Sequence, residues 1–367
     1  MMNMKKSGKT TGILLKISAA AGISLFCLAD SETVKAAVTT AVTRCLNTVI
    51  PSLYGMMIIS SLLISSGIIG NIPHIFSMIG RRLFKMNGPV FPIYVFSLFA
   101  GYPVGAKMLF TEYEKGSVDR RSAELFSGIC FGAGPAFIFG CISSQLYGSP
   151  AAGYIIIIST LSANTILALF VSRLLPSVHR KYTPPKLKLD LAVVNDSIMN
   201  GAVSIMRICA MTGAFSIITA FLQKSGVISR LSGIIPNCRD EYIFAVLDIT
   251  AIGSLPVNDY SQLPVICGLT AFGGLCVFMQ IASLTKNGIS LLPMLFIRTA
   301  AAFVSSAVCR LLLPFMLKNV SLSAASMNVH THQAASPIPS VMLIIMTFIS
   351  LSEYDRISLK RKNTLSR

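Results

Sequence analysis

Apolar residues run along this chain in long stretches, separated by short polar ones. The stretches cover Gly12–Ala29, 48–70, 89–110, 123–147, 151–175, 197–222, 240–256, 263–284 and 289–316, with a weaker one at 338–351. A helical run of about 20 apolar residues matches the hydrocarbon thickness of a bilayer. The pattern therefore predicts an all-α polytopic membrane protein with about 8–10 membrane segments. One interruption is amphipathic. Ile72–Phe84 puts Ile75, Phe76, Ile79 and Leu83 on one face and leaves His74, Arg81 and Arg82 elsewhere. That spacing predicts a helix lying flat on the membrane surface.

Composition supports the same class. Hydrophobic residues make up 53% of the 367 and charged residues 12%, about half the charge a soluble surface requires. The net charge of +17 fits lysines and arginines gathered on the cytoplasmic side of a membrane protein. The longest basic stretches, Arg180–Lys188 and Arg356–Arg367, lack aromatics at a spacing useful for stacking on bases. The lipid bilayer is thus the expected partner, and nucleic acid is not. Lys5, Lys6 and Lys9 precede the first apolar stretch, and no small-x-small cleavage site follows it. It reads as an uncleaved helix starting in the cytoplasm, which predicts a multi-pass protein of the cell membrane. Nine cysteines are scattered without C-x-x-C spacing, and no histidine falls in a candidate span. No metal site, disulfide framework or cofactor is expected.

The Pro-containing basic stretch 176–196 divides the chain. Before it lie an N-terminal membrane helix (1–30) and a first repeat (40–175); after it come a second repeat (197–316) and a loop, weak apolar segment and basic tail (317–367). Gly128–Ser143 and Gly268–Ser283 align with Gly128 on Gly268, Gly134 on Gly274 and Ser143 on Ser283. Both carry glycines at mid-membrane depth, Gly132 and Gly134 before Pro135 in one and Gly273 and Gly274 in the other. Close helix packing would use such glycines, and so would broken helices; pairs at matched depth in both halves favour the breaks. The segment 89–110 is interrupted at Gly101, Tyr102, Pro103 and Gly105. If 89–110 and 240–256 dip into the membrane and return, Lys115, Arg120, Arg121 and the 176–196 stretch fall inside, as the positive-inside rule prefers. Lys224, Arg230 and Arg239 then fall outside, against that rule. On the hairpin reading each half has an odd number of crossings, so the halves form two inverted repeats with broken helices and re-entrant hairpins, a frame used for alternating access.

The strings AGYPVGAK at Ala100–Lys107, FGAGPAFIFG at Phe131–Gly140 and FGGLCVFMQ at Phe272–Gln280 carry a resemblance. They resemble the sporulation integral membrane proteins of the YlbJ-like family, with nucleoside recognition or Gate domains, over about 40–316. Gate domains are similar to the core of concentrative nucleoside transporters. The resemblance implies surface helices, hairpins and broken helices in an inverted repeat, and a role in endospore formation. It supplies no substrate. The chain departs from the pattern in having Cys276 and Phe278 where relatives often carry Ser and His, and Asp248 in place of Glu.

Asp248 is the only carboxylate deep in an apolar segment. It could bind a cation, a proton or a ligand hydroxyl, or form a structural ion pair with Arg207 or Arg298. Lys107 could neutralise an anion or snorkel to headgroups. Tyr102, Asn164 and Gln280 could line a cavity or bond a neighbouring backbone. With Gly132, Gly134, Gly273 and Gly274, these form the candidate ligand-binding set. No catalytic residue is expected: H-E-x-x-H, a carboxylate pair and a Ser–His pair within a span are all missing from the sequence. Two function classes follow. One is a transporter-like protein for a small polar solute or ion. The other is a structural or assembly protein acting through membrane partners or as a homo-oligomer.

Overall fold

The computed structural model describes residues 17–320 except 19, 73, 175–181, 235–237, 258 and 286–287. The predicted segment at 338–351, the tail around it and the basic residues before 17 lie outside the described residues. Every described element is helical. Five helical stretches are long and apolar enough to cross a membrane: Ser31–Ser65, Pro150–Leu174, Leu191–Lys224, Tyr260–Leu284 and Leu292–Phe315. The chain is thus built as a multi-pass helical membrane protein.

A short apolar helix α1 (Ala20–Ala29) leads into α2 (Ser31–Arg44), whose first turn is capped by Asp30 accepting from the Thr33 backbone N–H. Then comes a π-helical turn, Cys45–Val49, which joins α2 to α3 (Ile50–Ser65) without a break. The sequence places the start of this span at 48. The preceding 17 residues escape notice because Glu32, Lys35, Arg44 and four threonines dilute the apolar pattern. The amphipathic stretch forms α4 (His74–Phe84). Its Phe76, Ile79 and Leu83 are exposed, while Phe84 packs on Phe91 and Tyr94.

Helices α5 (Val90–Ala100) and α6 (Val104–Glu114) have 11 residues each. Each is about 16 Å long, half of what a bilayer requires. They meet at Gly101, which has φ +80°, and at a cis Tyr102–Pro103 bond. A β-carbon on Gly105 would overlap Ser97 of α5 and come within 2.5 Å of the Cys130 carbonyl oxygen. The two helices therefore lie against each other at backbone distance.

Helix α7 (Arg120–Ser127) is capped by Asp119. Helical structure lapses over 128–134 and resumes in α8 (Pro135–Phe137), which widens into a π-helical stretch, Ile138–Tyr147. After α9 (Pro150–Leu174) the extended residues 182–190 dock over the end of α3. There the Asn71 side chain donates to the Pro185 carbonyl (2.8 Å) and the Lys188 N–H to the Ser66 carbonyl (3.0 Å). Helix α10 (Leu191–Lys224) begins earlier than the linker reading of 176–196 allows. Asp190 accepts from the Val193 N–H and caps it, a side-chain role the apolar pattern does not register.

The second half continues with α11 (Val227–Ile234) and α12 (Asp240–Leu247), which Asp248 separates from a 3-10 segment, Ile249–Ser254. Helices α13 (Leu263–Phe272) and α14 (Leu275–Leu284) are separated by Gly273 and Gly274, both at positive φ. The last described helix, α15 (Leu292–Val320), carries Phe296 and Phe303 at 72% and 74% exposure. Rings left bare on that scale suit contact with lipid tails and would be an association hazard in water.

Gly105→Ala should destabilise the protein by about 1–3 kcal/mol, the usual cost of forcing an atom into a filled core. Thermal melting of the detergent-purified chain would read the change.

Candidate functional site

Breaking a helix inside a membrane exposes carbonyls that have no water to bond. Here both breaks turn theirs toward one residue. Arg298 of α15 is fully buried, with 0% exposure. Its guanidinium donates to the Phe131 carbonyl at the first break (2.8 Å) and to the Ala271 carbonyl beside the second (3.2 Å). It also donates to Asn164 Oδ1 on α9 (2.7 Å), and the Asn164 amide donates to the same Phe131 carbonyl (3.2 Å). The Phe131 ring lies 5.3 Å from the guanidinium carbon, a cation–π distance. Among the described residues Arg298 has no carboxylate within ion-pair range. Its charge is met by oxygens and a ring face instead.

The glycines permit this convergence. A β-carbon on Gly274 would come within 2.8 Å of the Ile249 nitrogen, and one on Gly273 within 2.5 Å of the Phe131 ring. The second break therefore sits directly against the first break and the 3-10 segment. Gly101, at the α5–α6 bend, lies in backbone contact with Gly134.

Beside this junction is a cavity of about 290 Å³. Its lining is largely apolar, and its polar groups include Thr48, Ser52, Tyr102, Asp248, Thr250 and Gln280. Tyr102 is stacked on Phe131 at 4.9 Å, and its buried hydroxyl has no hydrogen-bond partner among the described residues. Gln280 donates to Thr212 Oγ1 (3.2 Å). An apolar chamber with a few convergent polar groups is the usual form of a small-molecule site.

Asp248 is 5% exposed and follows the end of α12. One carboxylate oxygen accepts from the Thr250 N–H (3.0 Å), and the other lies 3.8 Å from Arg44 Nη1. The ion-pair partner is thus Arg44 of α2, not Arg207 or Arg298. Asp248 also lines a second cavity of about 230 Å³, together with Arg44, Thr40, Ser216, Thr219 and Glu241. A third cavity of about 250 Å³ holds Lys107 and Arg207 among serines.

The three cavities follow one another along two neighbouring helices. On the α2–α3 rod they are lined by residues 37–44, then 48–56, then 60–65. On α10 the order runs through residues 216–223, then Ile208, then 200–207. Between the second and third, Met57 is completely buried.

Of the candidate residues, Tyr102, Gly134, Asp248 and Gln280 come together around the central cavity. Asn164 and Gly132 lie at the Arg298 node, where a β-carbon on Gly132 would come 3.2 Å from the Asn164 amide. Gly273 and Gly274 form the second break, and Lys107 faces the third cavity. Sequence reasoning missed Arg44, Thr48, Ser52 and Thr250. A basic residue one turn before an apolar run was the available signal for Arg44. Among the described residues there is no cluster of three or more metal-ligating side chains. Compared with protein-family models, curated proteins and solved structures, the chain matches none.

Arg298→Met should be the most damaging single change at the site. It strips the Phe131 and Ala271 carbonyls of a charged donor, each such bond being worth about 1.5–3 kcal/mol. Loss of folded protein on size-exclusion chromatography is the expected outcome. Recovery of a wild-type melting point would show that the node is dispensable.

Proposed function

We propose that this is a transporter-like membrane protein whose two inverted halves enclose a central site for a small polar solute or ion. The observation that carries this reading is the position of Asp248. It is buried, paired with Arg44, and lines both the central cavity and the one next to it. A charge pair between two chambers is suited to act as a gate, because opening it exposes charges that a polar solute can bind.

The order of elements supports the inverted repeat. A long helix, a short helix, two short elements meeting at a bend, a broken helix and a long helix occur in 31–174. The same succession occurs in 191–320. Each bend and each break then sits near mid-depth, where secondary transporters place their ligands. The short lengths of α5, α6 and α12 with its 3-10 segment support the re-entrant reading. On the same reading, the resemblance of the AGYPVGAK string supports a sporulation-associated role.

One observation favours a second reading, in which the fold serves assembly and moves nothing. Phe278 packs against Phe131 at 5.9 Å and Phe272 at 5.5 Å. An aromatic cluster thus stands beside the cavity where relatives often carry a polar side chain.

Asp248→Asn separates the two. Asn keeps an oxygen for the Thr250 N–H, and Arg44 remains partly exposed, so protein abundance should stay near wild type. Heat-resistant spore yield in the native host should nevertheless fall sharply. Unchanged yield at normal abundance would count against a binding role for Asp248.

Topology gives a further check. Single cysteines at 115, 186 and 224 in a cysteine-free background would be probed on intact cells with an impermeant thiol reagent. Labelling at 224 alone is expected. Labelling at 115 and 186 but not 224 would mean that every segment crosses, and the inverted repeat would be abandoned.

A further inference from the structure

The third cavity differs in chemistry from the other two. Lys107 enters it from α6 and Arg207 from α10. Lys107 Nζ donates to Ser204 Oγ (2.6 Å) and Ser61 Oγ (3.4 Å), and Arg207 reaches the Ser283 carbonyl at 3.4 Å. Among the described residues neither cation has a carboxylate within ion-pair distance. Among the described residues no carboxylate lines the cavity. Glu112, farther along α6, is bound to Lys115 at 3.1 Å.

Two like charges line one cavity, the half-buried Lys107 and the more exposed Arg207, and among the described residues no carboxylate pairs with either. The serine and threonine hydroxyls nearby are mostly committed. Ser60, Thr111 and Ser204 each donate to a carbonyl of their own helix. The donors left to a ligand include the remaining N–H groups of Lys107 and Arg207, the Asn200 side chain and the hydroxyls of Ser61 and Ser65, which also line the space. That set fits an oxyanion with several acceptor oxygens.

Location narrows the choice. Lys107 lies eight residues, or about 12 Å of helix, before Lys115 at the end of α6. The end of α3 beside it is covered by the 182–190 segment, where Lys186 and Lys188 are exposed. The cavity thus lies within a few helical turns of Lys115 and of the exposed Lys186 and Lys188. A basic pocket at that depth is where phospholipid headgroups dock between helices.

We propose that this cavity is a phosphate-type oxyanion site, distinct from the central cavity, with Lys107 and Arg207 supplying the charge. A free phosphate ester and the headgroup of an anionic phospholipid share this chemistry. The proposal does not depend on transport through the central cavity.

The test uses the full chain purified in phosphate-free detergent. Its melting point is followed against inorganic phosphate, with chloride at matched ionic strength as control. Retention of phosphatidylglycerol is followed by native mass spectrometry. Lys107→Met and Arg207→Gln are compared with Arg230→Gln, an exposed site on α11. A phosphate-dependent rise in melting temperature, weakened roughly tenfold or more in apparent affinity by either cavity variant, supports the site and assigns a free ester. Retained phosphatidylglycerol that both cavity variants lose, with no response to phosphate, supports the site and assigns a lipid. Equal behaviour of wild type and both cavity variants toward both probes overturns the proposal. If Lys107→Met fails to fold, Arg207→Gln alone decides, because its side chain is exposed and its bond to the Ser283 carbonyl is long.

Discussion

The fold depends on how a bilayer-embedded protein satisfies the carbonyls of two interrupted helices. Water would do so at a surface, but in a membrane interior the donor must be protein. Arg298 is suited to this because its planar head offers several N–H groups in fixed directions, and lysine would offer one point. It bonds a carbonyl at each break and the Asn164 oxygen on α9. Three separate stretches of chain are thereby fixed with respect to α15. The cost of burying the charge is offset by those oxygens and by the Phe131 ring. The central cavity is positioned by this junction, since Tyr102 stacks on the same ring that the guanidinium faces.

Around that anchor, space is set by missing side chains. Gly274 against Ile249 brings backbones to a distance that a β-carbon would forbid, and Gly101 against Gly134 leaves a β-carbon only a tight 3.0–3.4 Å. Local chain reversals and long-range packing are thus solved by the same residues.

Much of this was legible in the sequence, and the limits are physical. Apolar runs identified the helical membrane class, and glycine pairs near Pro135 and at 273–274 marked where helices stop. The amphipathic stretch before Phe84 declared itself by the spacing of Phe76, Ile79 and Leu83. Arg44 was not legible, since the threonine-rich start of its helix resembles a loop when hydropathy alone is read. The partner of Asp248 was misassigned for a related reason. Charges were matched with charges, whereas Arg298 is held by backbone carbonyls whose exposure depends on tertiary structure. Side chains of similar promise thus fell into different places, Asn164 at the node and Gln280 beside the cavity. Nothing in the spacing of α9 or α14 separates those two outcomes.

The π-helical turn at Cys45–Val49 sets the rotational phase of one cavity wall. A wide turn holds one residue more than an α-turn, so Arg44 and the lining residues Thr48 and Ser52 belong to two helical registers. Removing one residue from that turn would leave the span apolar and helical. It would also swing everything before it by about 100° about the helix axis, carrying Arg44 away from Asp248. Length at this point is therefore constrained as tightly as residue identity, a constraint that hydropathy, charge count and motif matching cannot register.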